Sequence, residues 1–243
     1  MDFNHFLTSY MPNPNVGSKV HFQNMIEQSI LAEKLGYKKI SIPEHHLINL
    51  LMMPSPLQMA VKIASLTKNI SISTSVAVLP LHDMRTYAGE VATADILTDG
   101  RLILGVARGA FPWEMKRLGT PIEHSKEKFT ESLEVLQKLL SEEEVSFSGK
   151  YYNFEALTIM PRPITQPIPI MIAAMDPKSI KNAALRGFHV QSTVLSGTRE
   201  LLMERVNAFR DGCEELGEKG KLLKLSMQRM MFVAKDEKDA EIK

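Results

Sequence analysis

The chain has 243 residues, close to the ~250 typical of a (β/α)8 barrel and long enough for one sizeable core. Apolar residues make up 44% and charged residues 23%, an ordinary globular balance, and a net charge of +1 gives no electrostatic case for nucleic acid or an anionic membrane. The single cysteine, Cys213, excludes an internal disulfide framework and a cysteine-rich metal site.

The first fifteen residues, MDFNHFLTSYMPNPN, lack the basic start and apolar run of a secretory signal. No stretch approaches the ~18 apolar residues that would cross a bilayer, so a cytoplasmic setting is expected. Phe3 to Leu7 reads as a first strand. Phe22, Ile26 and Ile30 then recur at helical spacing, and Gly36 stands where that helix should stop. Lys38 to Ile42 reads as the second strand and Pro56 to Leu66 as a helix. Ile70 to Leu79, rich in β-branched residues and ended by Pro80, is expected to be one continuous strand. Tyr87 to Leu97 reads as a helix closed at Asp99-Gly100, and Arg101 to Val106 as the fourth strand.

Phe129, Leu133, Leu136 and Leu140 mark an amphipathic helix by their spacing. Val145 to Phe147 and Tyr151 to Phe154, either side of Ser148-Gly149-Lys150, predict a hairpin. A proline-rich approach (Pro161, Pro163, Pro167, Pro169) leads into a fifth strand at Ile170 to Ala174. A helix to Arg186-Gly187, a strand at Val190 to Thr193 and a helix carrying Leu202, Val206, Phe209, Cys213 and Leu216 follow. Cys213 lies on the apolar stripe of that helix, so a buried structural thiol is expected. Leu225 to Ala234 reads as a seventh strand and Asp236 to Lys243 as the start of a helix. Alternating strands and helices predict one α/β domain of parallel βαβ units. It has seven strands and no eighth, so a (β/α)8 barrel would lack its last strand and C-terminal helices.

In parallel α/β folds ligands bind beyond the carboxyl ends of strands, which directs attention to four segments. Glu44-His45-His46 follows the second strand. A histidine there can move a proton near neutrality or be a plain loop residue, and two adjacent histidines point in different directions. Their adjacency is not the i, i+4 spacing of a helical zinc site, and no metal is expected. Gly105 to Ala110 (GVARGA) follows the fourth strand. Glycine admits close backbone approach and Arg108 suits a phosphate, although an ordinary turn explains the segment too. Asp176-Pro177-Lys178-Ser179 after the fifth strand is a good helix start, able to cap itself or to meet an anion. Ser75 to Val78 is small enough for a flat ring to lie against, or simply to pack.

Together, GYKKISIPEHH, STSVAVLPLHD, EVATADILTDGRLILGVARG, RLGTPIEHSKEKFTESLEVLQKLL, VSFSGKYYNF and IPIMIAAMDPKSIKNAALRG resemble the bacterial luciferase-like flavin monooxygenases, in order and spacing, over most of residues 1 to 234. The resemblance implies a luciferase-like TIM barrel that binds reduced FMN delivered by a separate NAD(P)H-dependent flavin reductase. It further implies a homodimer or heterodimer of barrels, with a homodimer expected. Oxygen would add to the flavin to give a C4a-hydroperoxide that oxidises a small organic substrate, here expected to be largely apolar. His45 matches the histidine that assists this chemistry, and Glu114 an acidic residue beside the site. Arg108 with the Gly109 and Ala110 backbone matches a flavin-phosphate clamp, and Ser179 with the amides near Asp176 a second phosphate contact. Ser75 and Val76 match a non-proline cis peptide against the flavin ring. Asp176 stands where luciferase has a hydroxyl residue, and its carboxylate would repel phosphate unless turned away as a helix cap.

Two further readings follow. The same fold serves reductases or dehydrogenases that use the deazaflavin F420, and a chain lacking its last strand could be a non-catalytic flavin-binding or dimerising protein. Phe111, Trp113 and Met115, and residues 50 to 53, are candidates for an apolar pocket, a core or a dimer interface.

Overall fold

A computed structural model describes residues 1–49, 51–193, 198–231 and 233–242, and divides them between two units, 1–173 and 174–243. In the first unit, β1 (Asn4–Phe6) is followed by α1 (Ser18–Lys34), β2 (Lys39–Ile42), α2 (Pro56–Ala64) and β3 (Ser71–Thr74). Next come β4 (Ala77–Val78), α3 (Met84–Leu97), β5 (Leu102–Ala107), α4 (Pro112–Arg117) and α5 (Ile122–Ser141). The hairpin strands β6 (Val145–Ser148) and β7 (Asn153–Leu157) and then β8 (Ile170–Ala173) complete it. All pairings except the antiparallel hairpin β6–β7 are parallel: β1 with β2, β2 with β3, β3 and β4 with β5, and β5 with β8.

Every residue of β2 is buried, as expected of a parallel strand covered on both faces. Leu7, Ile40, Ile42 and Ile72 pack there against Met25 of α1 and Ile63 of α2. The amphipathic spacing around residue 133 becomes α5, with Leu133, Leu136 and Leu140 buried. The proline-rich segment is fastened by Asp95 of α3, whose Oδ2 accepts the amides of Ile164 and Thr165 at 2.8 Å each.

Two expectations change. The strand predicted over Ile70 to Leu79 is split into β3 and β4, both facing β5; between them the peptide joining Ser75 and Val76 is cis, as the resemblance implied. At the break the Thr74 hydroxyl donates to the Gly105 carbonyl at 2.7 Å. The helix α4 was not foreseen, because its six residues are too few to show a period.

In the second unit, α6 (Pro177–Leu185), β9 (His189–Thr193), α7 (Arg199–Leu216), β10 (Leu225–Gln228) and α8 (Glu237–Ile242) follow in order. β9 and β10 are parallel, Leu225 facing Val190 and Gln228 facing Thr193. The strand expected to run to Ala234 therefore stops where its partner ends; Met230, Met231 and Val233 are exposed, and Phe232 lies outside the described residues. Cys213 is half-buried in α7 rather than buried as expected, and what burial it has pushes its thiol pKa up. Strand–helix alternation with parallel pairing is the α/β class expected of a (β/α) barrel. Among the described residues no helix is long and apolar enough to cross a membrane.

Candidate active site

Pro43 carries the chain out of β2 into Glu44, His45 and His46, and the two histidines take different partners. His46 Nε2 donates to Glu44 Oε1 at 2.6 Å, while His45 lines an open cavity of about 750 Å³. The His45 amide donates to the Met53 carbonyl at 2.8 Å, which fixes its backbone. Its ring meets Phe111 edge-on, with centroids 5.3 Å apart. Its Nδ1 is buried, has no hydrogen-bond partner among the described residues, and stands 3.8 Å from Glu114 Oε2.

Glu114 is in the first turn of α4 and is 2% exposed. Its other oxygen accepts the His46 amide. A single carboxylate thus grips the loop carrying both histidines and lies beside the His45 ring.

Glu44 is also 2% exposed, and a third imidazole reaches it. His82, after β4, donates Nε2–H to the same Oε1 at 2.7 Å, and the Val78 amide donates to Oε2 at 3.0 Å. Burial raises the Glu44 pKa, but the hydrogen bonds from His46, His82 and Val78 outweigh it and hold the carboxyl at about 2. The bond to Glu44 in turn raises the pKa of His46. Both rings must carry their proton on Nε2 to donate. Tyr87 stacks on His82 at 4.4 Å, and its buried hydroxyl has no partner among the described residues. The ligating atoms of Glu44, His46 and His82 lie within 4.8 Å of one another, close enough for a divalent cation, and the two His–Glu contacts have hydrogen-bond lengths.

The residues expected to meet a flavin fall in both units. Arg108 is exposed directly after β5, and no hydrogen bond or ion pair engages it among the described residues. Gly109 has φ +93, and a Cβ there would come within 2.5 Å of Met115 Sδ and 3.1 Å of Val78 Cγ1. Gly105 passes so close to β3 that a Cβ would lie 2.0 Å from the Thr74 carbonyl oxygen. Ala110 follows in the same exposed turn, and Ser75 and Val76 are joined by the cis peptide. In the second unit Asp176 is the N-cap of α6, with Oδ1 accepting the Ser179 amide at 2.9 Å. Bonds from the Ser179 hydroxyl and amide lower the Asp176 pKa. Its carboxylate is turned to the helix as a cap, which also takes up the Ser179 N–H.

The segment Glu44-His45-His46 is a sequence candidate, but the carboxylate of Glu44 as its anchor and the part played by His82 are not, although STSVAVLPLHD contains His82. Of the expected pocket residues, Leu51 and Met52 line the cavity beside His45, whereas Met53 and Met115 are core, and Leu50 lies outside the described residues. Phe111 and Trp113 are exposed on α4 and just before it.

The sequence profile of the luciferase-like monooxygenases matches residues 1–243. The oxygenase component of the flavin-dependent trigonelline monooxygenase of Acinetobacter baylyi is 30% identical over 224 residues, 91% of this chain and 62% of that protein. An F420-dependent glucose-6-phosphate dehydrogenase of Amycolatopsis mediterranei is 29% identical over 206 residues, 79% of this chain and 60% of that protein. The chain thus spans about three-fifths of these relatives. The crystal structure of monooxygenase RslO1 from Streptomyces bottropensis superposes with a TM-score of 0.89 at 25% identity, covering 100% of this chain and 74% of that one. Parallel pairing, the site after β2 and a match over the whole sequence agree: the chain belongs to the luciferase-like monooxygenase family, with the (β/α)-barrel fold of that family.

Proposed function

We propose that this chain is a flavin-dependent monooxygenase that uses reduced FMN and oxygen to oxidise a small, largely apolar organic substrate. The observation that carries the reading is His45: a buried, unpartnered Nδ1 held 3.8 Å from Glu114, on a ring lining an apolar cavity. The residues of the first unit fit a flavin. His45 has a free ring nitrogen, Arg108 is an unengaged cation for the phosphate, and Gly109 leaves its backbone amide open in a positive-φ turn. Ser75-Val76, flanked by the small Ala77, supplies a flat bed for the ring. For the second unit, the proposal gives Asp176 and Ser179 a phosphate contact at the start of α6.

Reduced flavin, when bound, supplies two electrons and two protons so that one oxygen atom enters the substrate and the other leaves as water. In this reading His45 takes and returns a proton beside the reacting atoms, and Glu114 stabilises its charged ring. Glu44 holds His46 and His82 and so fixes the loop from which His45 projects. A separate flavin reductase would deliver the cofactor, and a cytoplasmic homodimer is the assembly proposed.

FMN titration and oxygen uptake with chemically reduced flavin test the reading; protein that neither binds FMN nor consumes oxygen above the free-flavin rate sinks it. The F420-dependent relative supports a second reading, an F420-dependent oxidoreductase on the same fold. Parallel titrations with FMN and F420 separate the two, because a clear preference for F420 overturns the first.

A further inference from the structure

We infer that the cavity beside His45 takes a small organic carboxylate, its apolar body against the cavity wall and its anionic head on Arg117. Its role as substrate rests on the monooxygenase reading above; the binding preference does not. Phe22, Leu47, Ile48, Leu51 and Met52 give the cavity an apolar wall, and its volume of about 750 Å³ lies in the range of small-ligand sites, ~300–1,000 Å³. Besides the imidazole of His45, Arg117 is the ionisable group among the lining residues.

Arg117 closes the last turn of α4. Its guanidinium carbon stands 5.0 Å from the Trp113 ring centroid, and Nη1 donates to the Leu47 carbonyl at 3.3 Å. Both contacts position the group and neither cancels its charge. Glu114, 3.8 Å from His45 Nδ1, is buried, accepts the His46 amide, and is absent from the lining. Among the described residues no ion pair involves Arg117.

An apolar cavity with one fixed, uncancelled guanidinium discriminates by charge. A neutral alcohol or alkane would gain only from the wall, and an amine would be repelled. A carboxylate adds a forked, charge-assisted pair that a guanidinium makes better than an ammonium does. Hydrophobic contact therefore supplies the body's affinity and Arg117 the selection of the head.

Calorimetric titration of the full chain with octanoate, 1-octanol and octylamine at pH 8 and low salt tests this. Octanoate should bind at least ten-fold tighter than 1-octanol, and octylamine weakest. Arg117→Gln, a change at an exposed helix end, should bring octanoate to within about two-fold of 1-octanol without altering the latter. Leu51→Trp, which fills the cavity, should weaken both. Equal binding of octanoate and 1-octanol, or a preference that survives Arg117→Gln, overturns the inference. An FMN titration on the same preparation keeps the two readings apart. FMN binding without carboxylate preference sinks this inference alone, and carboxylate preference without FMN binding sinks the flavin reading alone.

Discussion

Glu44 Oε1 stands 2.7 Å from His82 Nε2, tying the loop after β2 to the segment after β4 across 38 positions of sequence. With His46 on the same oxygen and Val78 on the other, this buried carboxylate accepts three hydrogen bonds. Removing it strands two imidazoles and an amide, and breaking a buried charged pair costs ~3–5 kcal/mol. Glu44→Ala should lose stability of that order in urea unfolding. Glu44→Gln, which keeps the shape and an acceptor, should lose about 1.5–3 kcal/mol. Equal stability of both variants and the parent would show that the cluster is idle.

The same cluster fixes a pH dependence. Glu44 has a folded pKa of about 2 against an ordinary 4.5, so its contribution is complete above 4.5 and fades as pH falls towards 2. His46 has a folded pKa raised above 6.5, so its contribution is complete below 6.5 and is lost as pH rises through the raised value. Urea midpoints measured across pH should therefore fall on both sides. In Glu44→Gln the acid-side loss and the decline above 6.5 should both shrink. An unchanged profile in that variant would place the titrating groups elsewhere.

What the sequence makes legible here is what local period and strand ends encode. Leu133, Leu136 and Leu140 announce α5 by spacing, and His45 and Arg108 are marked by following predicted strands. The Glu44–His82 bond is not legible, because it depends on the register that brings β2 beside β3 and so sets the Val78 and His82 segment over Glu44. The split at Ser75-Val76 is hidden for a related reason: β-branched residues continue through it, and the period alone reads as one strand. Glu114 was reached only through resemblance, since the short α4 that buries it carries no periodic signal.

If Arg108 clamps a flavin phosphate, its loss and the loss of His45 should separate cleanly. A charge-assisted contact is worth ~1.5–3 kcal/mol, so Arg108→Gln should weaken FMN binding about ten-fold or more. The salt dependence of binding should weaken as well. General acid–base roles contribute ~10²–10⁴ in rate, so His45→Ala should lose turnover on that scale with flavin affinity nearly unchanged. Fluorescence titration and oxygen uptake read the two quantities. Equal losses of both in both variants would mean that the loops support each other structurally rather than divide the work.

Tyr87 supplies a case in which removing a polar group should help. The residue is 2% exposed and stacks on His82 at 4.4 Å, yet its hydroxyl has no hydrogen-bond partner among the described residues. Burial and the nearby Glu44 charge both push its pKa well above the usual phenol value, so the group stays neutral and unionised. An unsatisfied buried hydroxyl costs ~1–3 kcal/mol of desolvation, whereas phenylalanine keeps the stack and removes that cost. Tyr87→Phe should therefore equal or exceed the parent in urea stability by up to about 1 kcal/mol, while Tyr87→Ala should lose about 3–5 kcal/mol through the cavity it opens. A marked loss in Tyr87→Phe would reveal a partner for the hydroxyl, with the Glu44 cluster the first place to seek it.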